Sequence, residues 1–177
     1  DFNMRVMDAA LEVGANYLDM ASCADENDDW INGVRLTLAK GEAFEKAGLT
    51  ALIDCGSAPG IANVVTREAC DLFDSVEPID INVYEGIWTK RFIPFWWSPE
   101  VALGDMMYKT FRYEKGVFVK DTPFSRPQMM KFRGVDKEIR MVDHEHDEPV
   151  TMGLLADSVL KGAKDIEFKY GGPQVEL

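Results

Sequence analysis

Apolar positions first recur at helical spacing between residues 4 and 13, where Met4, Met7 and Leu11 are joined by Val6, Ala10 and Val13 before Gly14 stops the run. Asn16 to Ala21 reads as a short buried strand ending in small and polar residues. A second helix is expected from Leu36 to Ala47, on the spacing of Leu36, Ala39, Ala43 and Ala47, with Gly48 closing it. Leu49 to Asp54 reads as a second buried strand. Past a turn from Gly56 to Gly60, the positions Ile61, Val64, Val65, Ala69 and Leu72 mark the apolar face of a third helix. Ile79, Ile81 and Val83 then alternate with Asp80, Asn82 and Tyr84, the period of a half-exposed strand.

Helix and strand thus alternate to about residue 85, which predicts an α/β arrangement with helices packed on a mostly parallel sheet. The pattern then changes. Ile87 to Trp97 is aromatic, contains proline and has no clean period. A short helix from Pro99 to about Met107 is followed by Tyr108–Tyr113 and Val117–Lys120, which flank Glu114-Lys115-Gly116 as a hairpin. Ile139–Asp143 reads as a strand, Val150–Leu160 as a helix and Ile166–Tyr170 as a last strand. A boundary falls near Glu77-Pro78, dividing the chain into residues 1–77 and an α+β unit at 78–177. No internal repeat is visible, and no apolar run approaches the roughly 20 residues of a membrane span.

Charge narrows the partners. With 19 basic and 31 acidic side chains among 177 residues, the net charge of −12 disfavours nucleic acid and anionic membrane. A hydrophobic fraction of 46% excludes a disordered chain. Cys23, Cys55 and Cys70 are an odd number, lie far apart and form no CxxC pair, as expected of reduced thiols in a cytoplasmic protein rather than of a disulfide framework or zinc knuckle. The opening Asp1-Phe2-Asn3-Met4-Arg5 has no basic or apolar leader character and reads as the continuation of a longer polypeptide.

The segment Asp54-Cys55-Gly56-Ser57-Ala58-Pro59-Gly60-Ile61-Ala62-Asn63 runs from the carboxyl end of a buried strand into a helix. Open α/β sheets bind ligands at such places, because loops diverge there and the helix start exposes unpaired N–H groups. Gly56 and Gly60 allow turns and close approach, and Pro59 suits a first helical turn. The plain alternative is a tight strand-to-helix connection. Asp19-Met20-Ala21-Ser22 occupies the equivalent strand end one unit earlier, so a parallel sheet would turn both toward one crevice. The GxGxxG spacing of a dinucleotide-binding turn is absent from the sequence.

The ordered landmarks Asn3 to Ala21, Leu38 to Asn63 (through Glu45 to Thr50 and Gly56-x-x-Pro59-Gly60-Ile61-x-Asn63), Trp97-Ser98-Pro99-Glu100 and Glu148-Pro149-Val150-Thr151 resemble the saccharopine dehydrogenase-like oxidoreductases over most of the chain. The resemblance implies the C-terminal half of a Rossmann-like parallel sheet at 1–77, followed by a mixed-sheet substrate and dimerisation domain at 78–177, truncated at its end. The family's amino-terminal half-domain, about a hundred residues carrying the glycine fingerprint, would be missing. It further implies NAD or NADP as cofactor and a carbon–nitrogen bond of an amino acid or polyamine as substrate, in a homodimer. On this basis Asp19 is the candidate for proton transfer to an amine or imine. Ser22, Cys23, Gly56, Ala58, Pro59 and Gly60 fall on the cofactor side, and Asn63, Trp97, Ser98, Glu100 and His144 on the substrate side. Asp19 reads equally well as a strand-end carboxylate that accepts backbone N–H groups. Saccharopine reductases carry an arginine directly after Trp-Ser-Pro; here that position is Glu100, which suits an amine better than a carboxylate, or else caps the helix starting at Pro99.

Other readings compete. His144 and His146 in Asp143-His144-Glu145-His146-Asp147-Glu148 would share one face of a strand and reach a divalent metal, yet no third ligand is fixed by spacing, so no metal is assigned and a solvated acidic loop is the plain expectation. Phe92 to Trp97 serves a substrate wall, a subunit contact or core equally well. Met106-Met107 and Met129-Met130 read as core filling, and Asp25 to Asp29 as a solvated loop without the EF-hand spacing. A non-catalytic binding or dimerisation module of the same fold is the alternative to an enzyme, and these 177 residues alone are expected to be inactive.

Overall fold

The computed structural model describes residues 2–27, 29–87, 90–91, 98–172 and 175. Helix α1, Asn3–Val13, ends where Gly14 takes a left-handed φ of 71° and its N–H reaches back to Leu11 O, so the glycine marks the stop in fact as in sequence. Met7 on its inner face meets Tyr17 and Phe44 in a small core, and full burial of a ring such as Phe44 stabilises by about 1.5–3 kcal/mol.

Strand β1, Tyr17–Leu18, pairs in parallel with β2, Ala51–Leu52, through Tyr17↔Ala51 and Leu18↔Leu52. Both are shorter than the periodicity predicts, and they are not buried on two faces, since Leu18 and Leu52 are largely exposed. The single helix expected from Leu36 to Ala47 is two: α2, Trp30–Ala39, and α3, Gly41–Lys46, meeting at Lys40. The earlier start has a local cause. Asp29 accepts the N–H of Asn32 at 3.0 Å and caps α2, so the buried stripe is Ile31, Gly33, Val34 and Thr37, while Leu36 faces outward. The acidic stretch before it is therefore a cap and turn, with Asp25 accepting the N–H groups of Asn27 and Asp29.

Helix α4, Ile61–Asp71, forms where expected, but Ile61, Val64, Val65 and Leu72 are all more than half exposed. Its inward contacts are made through Cys70 instead, in a core with Ile79, Met152, Ala156, Leu160 and Ile166. The apolar stripe is real as a pattern and lies on the face that no described element covers.

Strand β3, Pro78–Tyr84, runs parallel to β8, Asp165–Gly171, over seven residue pairs. Helix α5 spans Pro99–Asp105. The hairpin of β4, Thr110–Glu114, and β5, Val117–Asp121, and the strand β7, Glu138–Asp143, follow the sequence reading. Strand β6, Gln128–Lys131, is an addition, paired antiparallel with β7 and lacking apolar alternation of its own. On the side away from β3, β8 pairs antiparallel with β4 at Tyr113↔Ile166 and with β7 at Val142↔Tyr170 and Asp143↔Lys169. The result is a mixed sheet with β8 at its centre.

Helix α6, Glu148–Val159, lies over β4 and β8, and the absence of a side chain at Gly153 lets it press close: a Cβ there would sit 2.8 Å from the Phe118 ring. Its other side meets α2 and α4, so Val150 shares a core with Ile31, Val34 and Phe111. Apolar contacts thus bind residues before Glu77 to those after it.

Candidate functional site

The ends of β1 and β2 and the start of α6 meet at one place. Ser22, in the loop after β1, donates its backbone N–H to Asp147 Oδ2 at 3.1 Å, and its hydroxyl lies 2.8 Å from both carboxylate oxygens of Asp54. Asp54 leaves β2 with φ at 54°, a left-handed conformation that aspartate tolerates better than most side chains. Asp147 precedes the first turn of α6, Glu148 opens it and Pro149 follows, so the two carboxylates stand where the helix presents unpaired N–H groups. All four residues are buried, Glu148 completely.

Burial sets their protonation. Removal from water, with the charges of Asp19 and Glu148 adding to it, pushes the Asp54 carboxyl up to about 6 against the hydrogen bonds from Ser22. Asp147 is pushed up to about 7, first by burial and then by the charge of Asp54. Burial also disfavours charge on His146, but its 2.6 Å bond to Glu148 Oε2 and the surrounding carboxylates outweigh this and leave the imidazole above its usual range. Two carboxyl groups poised near neutrality beside an imidazole can hold a proton, release it, or neutralise a cation.

Asp143 to Glu148 is therefore not a solvated acidic loop. Asp143 is neutralised by Arg126 and Lys169 at 2.7 and 2.9 Å, which hold its carboxyl below the usual range in spite of burial. The two histidines are separately engaged: His146 stacks on Phe168 at 3.9 Å, His144 packs on Tyr170 at 4.8 Å, and their ring centres are 6.1 Å apart. Among the described residues no group of three or more His, Cys, Asp or Glu side chains is placed to hold a metal ion.

A cavity of about 660 Å³ opens beside this cluster, in the range of small-molecule sites. Its walls come from the end of β2 (Leu52 to Asp54), the Gly56–Gly60 turn, one face of α4, and Val34, Leu38, Thr151 and Leu155. The turn is tight, because a Cβ on Gly56 would lie 2.6 Å from the Met20 carbonyl oxygen. Pro59 stands before the cap rather than in the first turn, joined to Ala58 by a cis peptide, and Gly60 at φ 130° caps α4 with its N–H donated to Asn63 Oδ1 at 3.0 Å. The Asn63 amide donates in turn to Thr151 Oγ1 at 2.9 Å and ties α4 to α6.

Comparison with known proteins places this arrangement. No protein-family profile matches the chain. A carboxynorspermidine synthase of Vibrio alginolyticus is 28% identical over 180 residues, covering 96% of this chain and 40% of that protein. A carboxyaminopropylagmatine dehydrogenase of Synechocystis is 28% identical over 157 residues, covering 84% and 38%. Among solved structures, apo saccharopine dehydrogenase (L-Glu forming) from Saccharomyces cerevisiae superposes with a TM-score of 0.63 at 11% identity, over 96% of this chain and 38% of that one. The fold is that of saccharopine dehydrogenase. The chain spans about two fifths of the length of the curated relatives it matches.

Within this fold the predicted residues fall into three groups. Gly56, Gly60 and Asn63 line the cavity. Asp19, Ser22, Cys23, Ala58 and Pro59 are not among its lining residues. The Asp19 carboxylate is engaged by Asn3 Nδ2 at 3.0 Å, the Tyr17 hydroxyl at 2.7 Å and the Asp54 N–H at 2.7 Å, which is the strand-end reading. Cys23 is half-buried, and burial raises its thiol. The third group lies apart: Ser98 and Glu100 are exposed at the start of α5, and His144 is buried against Tyr170. Trp97 and the rest of Phe92–Trp97 lie outside the described residues.

Sequence reasoning missed Asp54, Asp147, Glu148 and Thr151 as site members. Asp54 leads into the Gly56–Gly60 turn, and Asp147-Glu148 precede a predicted helix; only their convergence, which no spacing in one strand or helix encodes, singles them out. Among the described residues no helix is long and apolar enough to cross a membrane.

Proposed function

We propose that this chain is the strand-end and substrate-domain portion of an NAD(P)-dependent oxidoreductase that makes or breaks a carbon–nitrogen bond in an amino acid or polyamine-like substrate. The observation that carries the reading is the match of two relatives, named as a carboxynorspermidine synthase and a carboxyaminopropylagmatine dehydrogenase, to nearly the whole chain, with the cavity and its buried carboxylates at the meeting point of the two parallel strand ends. Residues 1–77 supply the rear of a dinucleotide domain and residues 78–177 the substrate side.

A nicotinamide fits the residues present: the cavity is largely apolar and passes along the Gly56–Gly60 backbone. When bound, the cofactor supplies the hydride that an imine carbon accepts or an amine carbon loses. The protein's share is placement and proton control. In this reading Ser22, Cys23 and the turn from Gly56 to Gly60 serve the cofactor side and Asn63 the substrate side; Trp97, Ser98, Glu100 and His144 are assigned to the substrate side by the resemblance alone, since Ser98, Glu100 and His144 lie apart from the cavity. Asp19 acts in this reading by positioning, since its carboxylate holds the Asp54 N–H, and Asp54, oriented by the Ser22 hydroxyl, steadies the positive charge that the substrate nitrogen carries when protonated. Leu52, Ile53, Val64 and Leu155 give the cavity an apolar side against which a bound group sheds water.

The test mixes the full-length polypeptide carrying this segment with NADPH or NADH, an aliphatic diamine and a carboxyl-bearing aldehyde. Loss of cofactor absorbance that requires all components supports the reading, and none with either cofactor refutes it. The 177 residues alone are proposed to be inactive; tight NADH binding by them, read by fluorescence, would contradict that. A homodimer in the cytoplasm is proposed on the open outer edges of β5 and β6, which pair only with β4 and β7 among the described residues.

A further inference from the structure

Asp54 is the only charged side chain among the described residues that line the 660 Å³ cavity. Its two oxygens share one hydroxyl, that of Ser22, and no salt bridge reaches it among the described residues. The groups packed behind it deepen the negative potential: Asp19 from the end of β1, and Asp147 and Glu148 from the start of α6. His146, bonded to Glu148, offsets them in part. Glu148 is completely buried, spends Oε2 on His146, and leaves Oε1 without a hydrogen-bond partner. A buried surplus of carboxylate beside an apolar cavity is costly unless a cation joins it. The described residues contain no metal-holding group, and the remaining walls are largely apolar and uncharged, with Ser57, Asn63 and Thr151 as their polar members. That combination suits an ammonium head on a methylene chain.

We propose that Asp54 is the specificity-determining residue of this cavity and pairs with the protonated amino group of an aliphatic amine, whose chain lies along Leu38, Ile53, Val64 and Leu155. This deepens the amine chemistry of the reading above and rests on it for the substrate class. Ser22 orients the carboxylate, and Asp147 and Glu148 hold the surrounding potential negative.

The experiment is titration calorimetry of the 177-residue chain with 1,4-diaminobutane, with 1,4-butanediol as the uncharged control. The diamine binds saturably and the diol does not; Asp54→Asn weakens the diamine about 10- to 100-fold, the range for a charge-assisted hydrogen bond. Wild-type affinity rises about tenfold from about pH 5 to about pH 7.5, because Asp54 ionises in that window while the amine stays charged, and proton loss from Asp147 and His146 acts in the same direction. Equal binding of the diol, an Asp54→Asn chain that binds undiminished, or no diamine binding overturns the proposal. Should Asp54→Asn fail to fold by circular dichroism, a flat wild-type pH profile overturns it instead. Diamine binding without cofactor turnover in the full-length polypeptide would refute the oxidoreductase reading alone; turnover without diamine binding would refute this inference alone.

Discussion

Replacing Asp54 with asparagine tests the electrostatics of the site through stability rather than binding. In the folded chain the Asp54 carboxyl is held at about 6, against 3.8 for an ordinary aspartate. For an acid raised on folding, the folded state binds the proton more tightly, so stability is fully present below about pH 3.8 and declines as pH rises toward 6. At about 1.4 kcal/mol per unit, the shift makes the ionised form cost about 3 kcal/mol above pH 6. About 2 kcal/mol of that is lost between about pH 4.5 and pH 8. Asparagine keeps the shape and cannot ionise, so Asp54→Asn gains about 2 kcal/mol on wild type across that interval. Because the Asp54 charge also helps hold Asp147 up, its removal adds to the gain. Urea unfolding followed by tryptophan fluorescence, at steps of pH, gives the two curves. Curves that run parallel from about pH 4.5 to pH 8 would refute the buried, unpaired carboxylate.

Gly33→Ala places a methyl group 2.0 Å from the Cys23 carbonyl oxygen, a backbone atom that cannot swing aside, so the urea midpoint falls by the equivalent of about 2 kcal/mol or more. Lys169→Met strips Asp143 of a buried partner and destabilises by about 3–5 kcal/mol in the same assay, whereas adding Asp143→Asn recovers part of the loss. Val64→Ser and Val65→Ser each change stability by less than about 0.5 kcal/mol, because those positions face solvent in the chain as described.

Periodicity revealed the elements whose order depends on local pattern: α1 with its Gly14 stop, the β4–β5 hairpin and the alternating β3 all stand where the apolar positions put them. It failed where the deciding contact is elsewhere. The start of α2 depends on the Asp29 cap, a polar signal outside the apolar count, and β6 exists because β7 offers it a ladder. The α4 stripe shows that period alone identifies an apolar face without saying what covers it. For the site, the Gly56–Gly60 turn and Asn63 were legible because turns and caps leave chemical signatures. The partnership of Ser22 with Asp54 and Asp147 was not, since it joins residues 32 and 125 positions apart.

The position of β8 has a bearing on how the chain is made. It threads between β3 on one side and β4 and β7 on the other, so three strands wait for a segment that leaves the ribosome after all of them. Pro78 finds its partner at Asp165, and such distant pairings close slowly. During synthesis β3 emerges before the strand that pairs with it, so its ladder groups stay open, a site for mispairing, until residue 171 is in place.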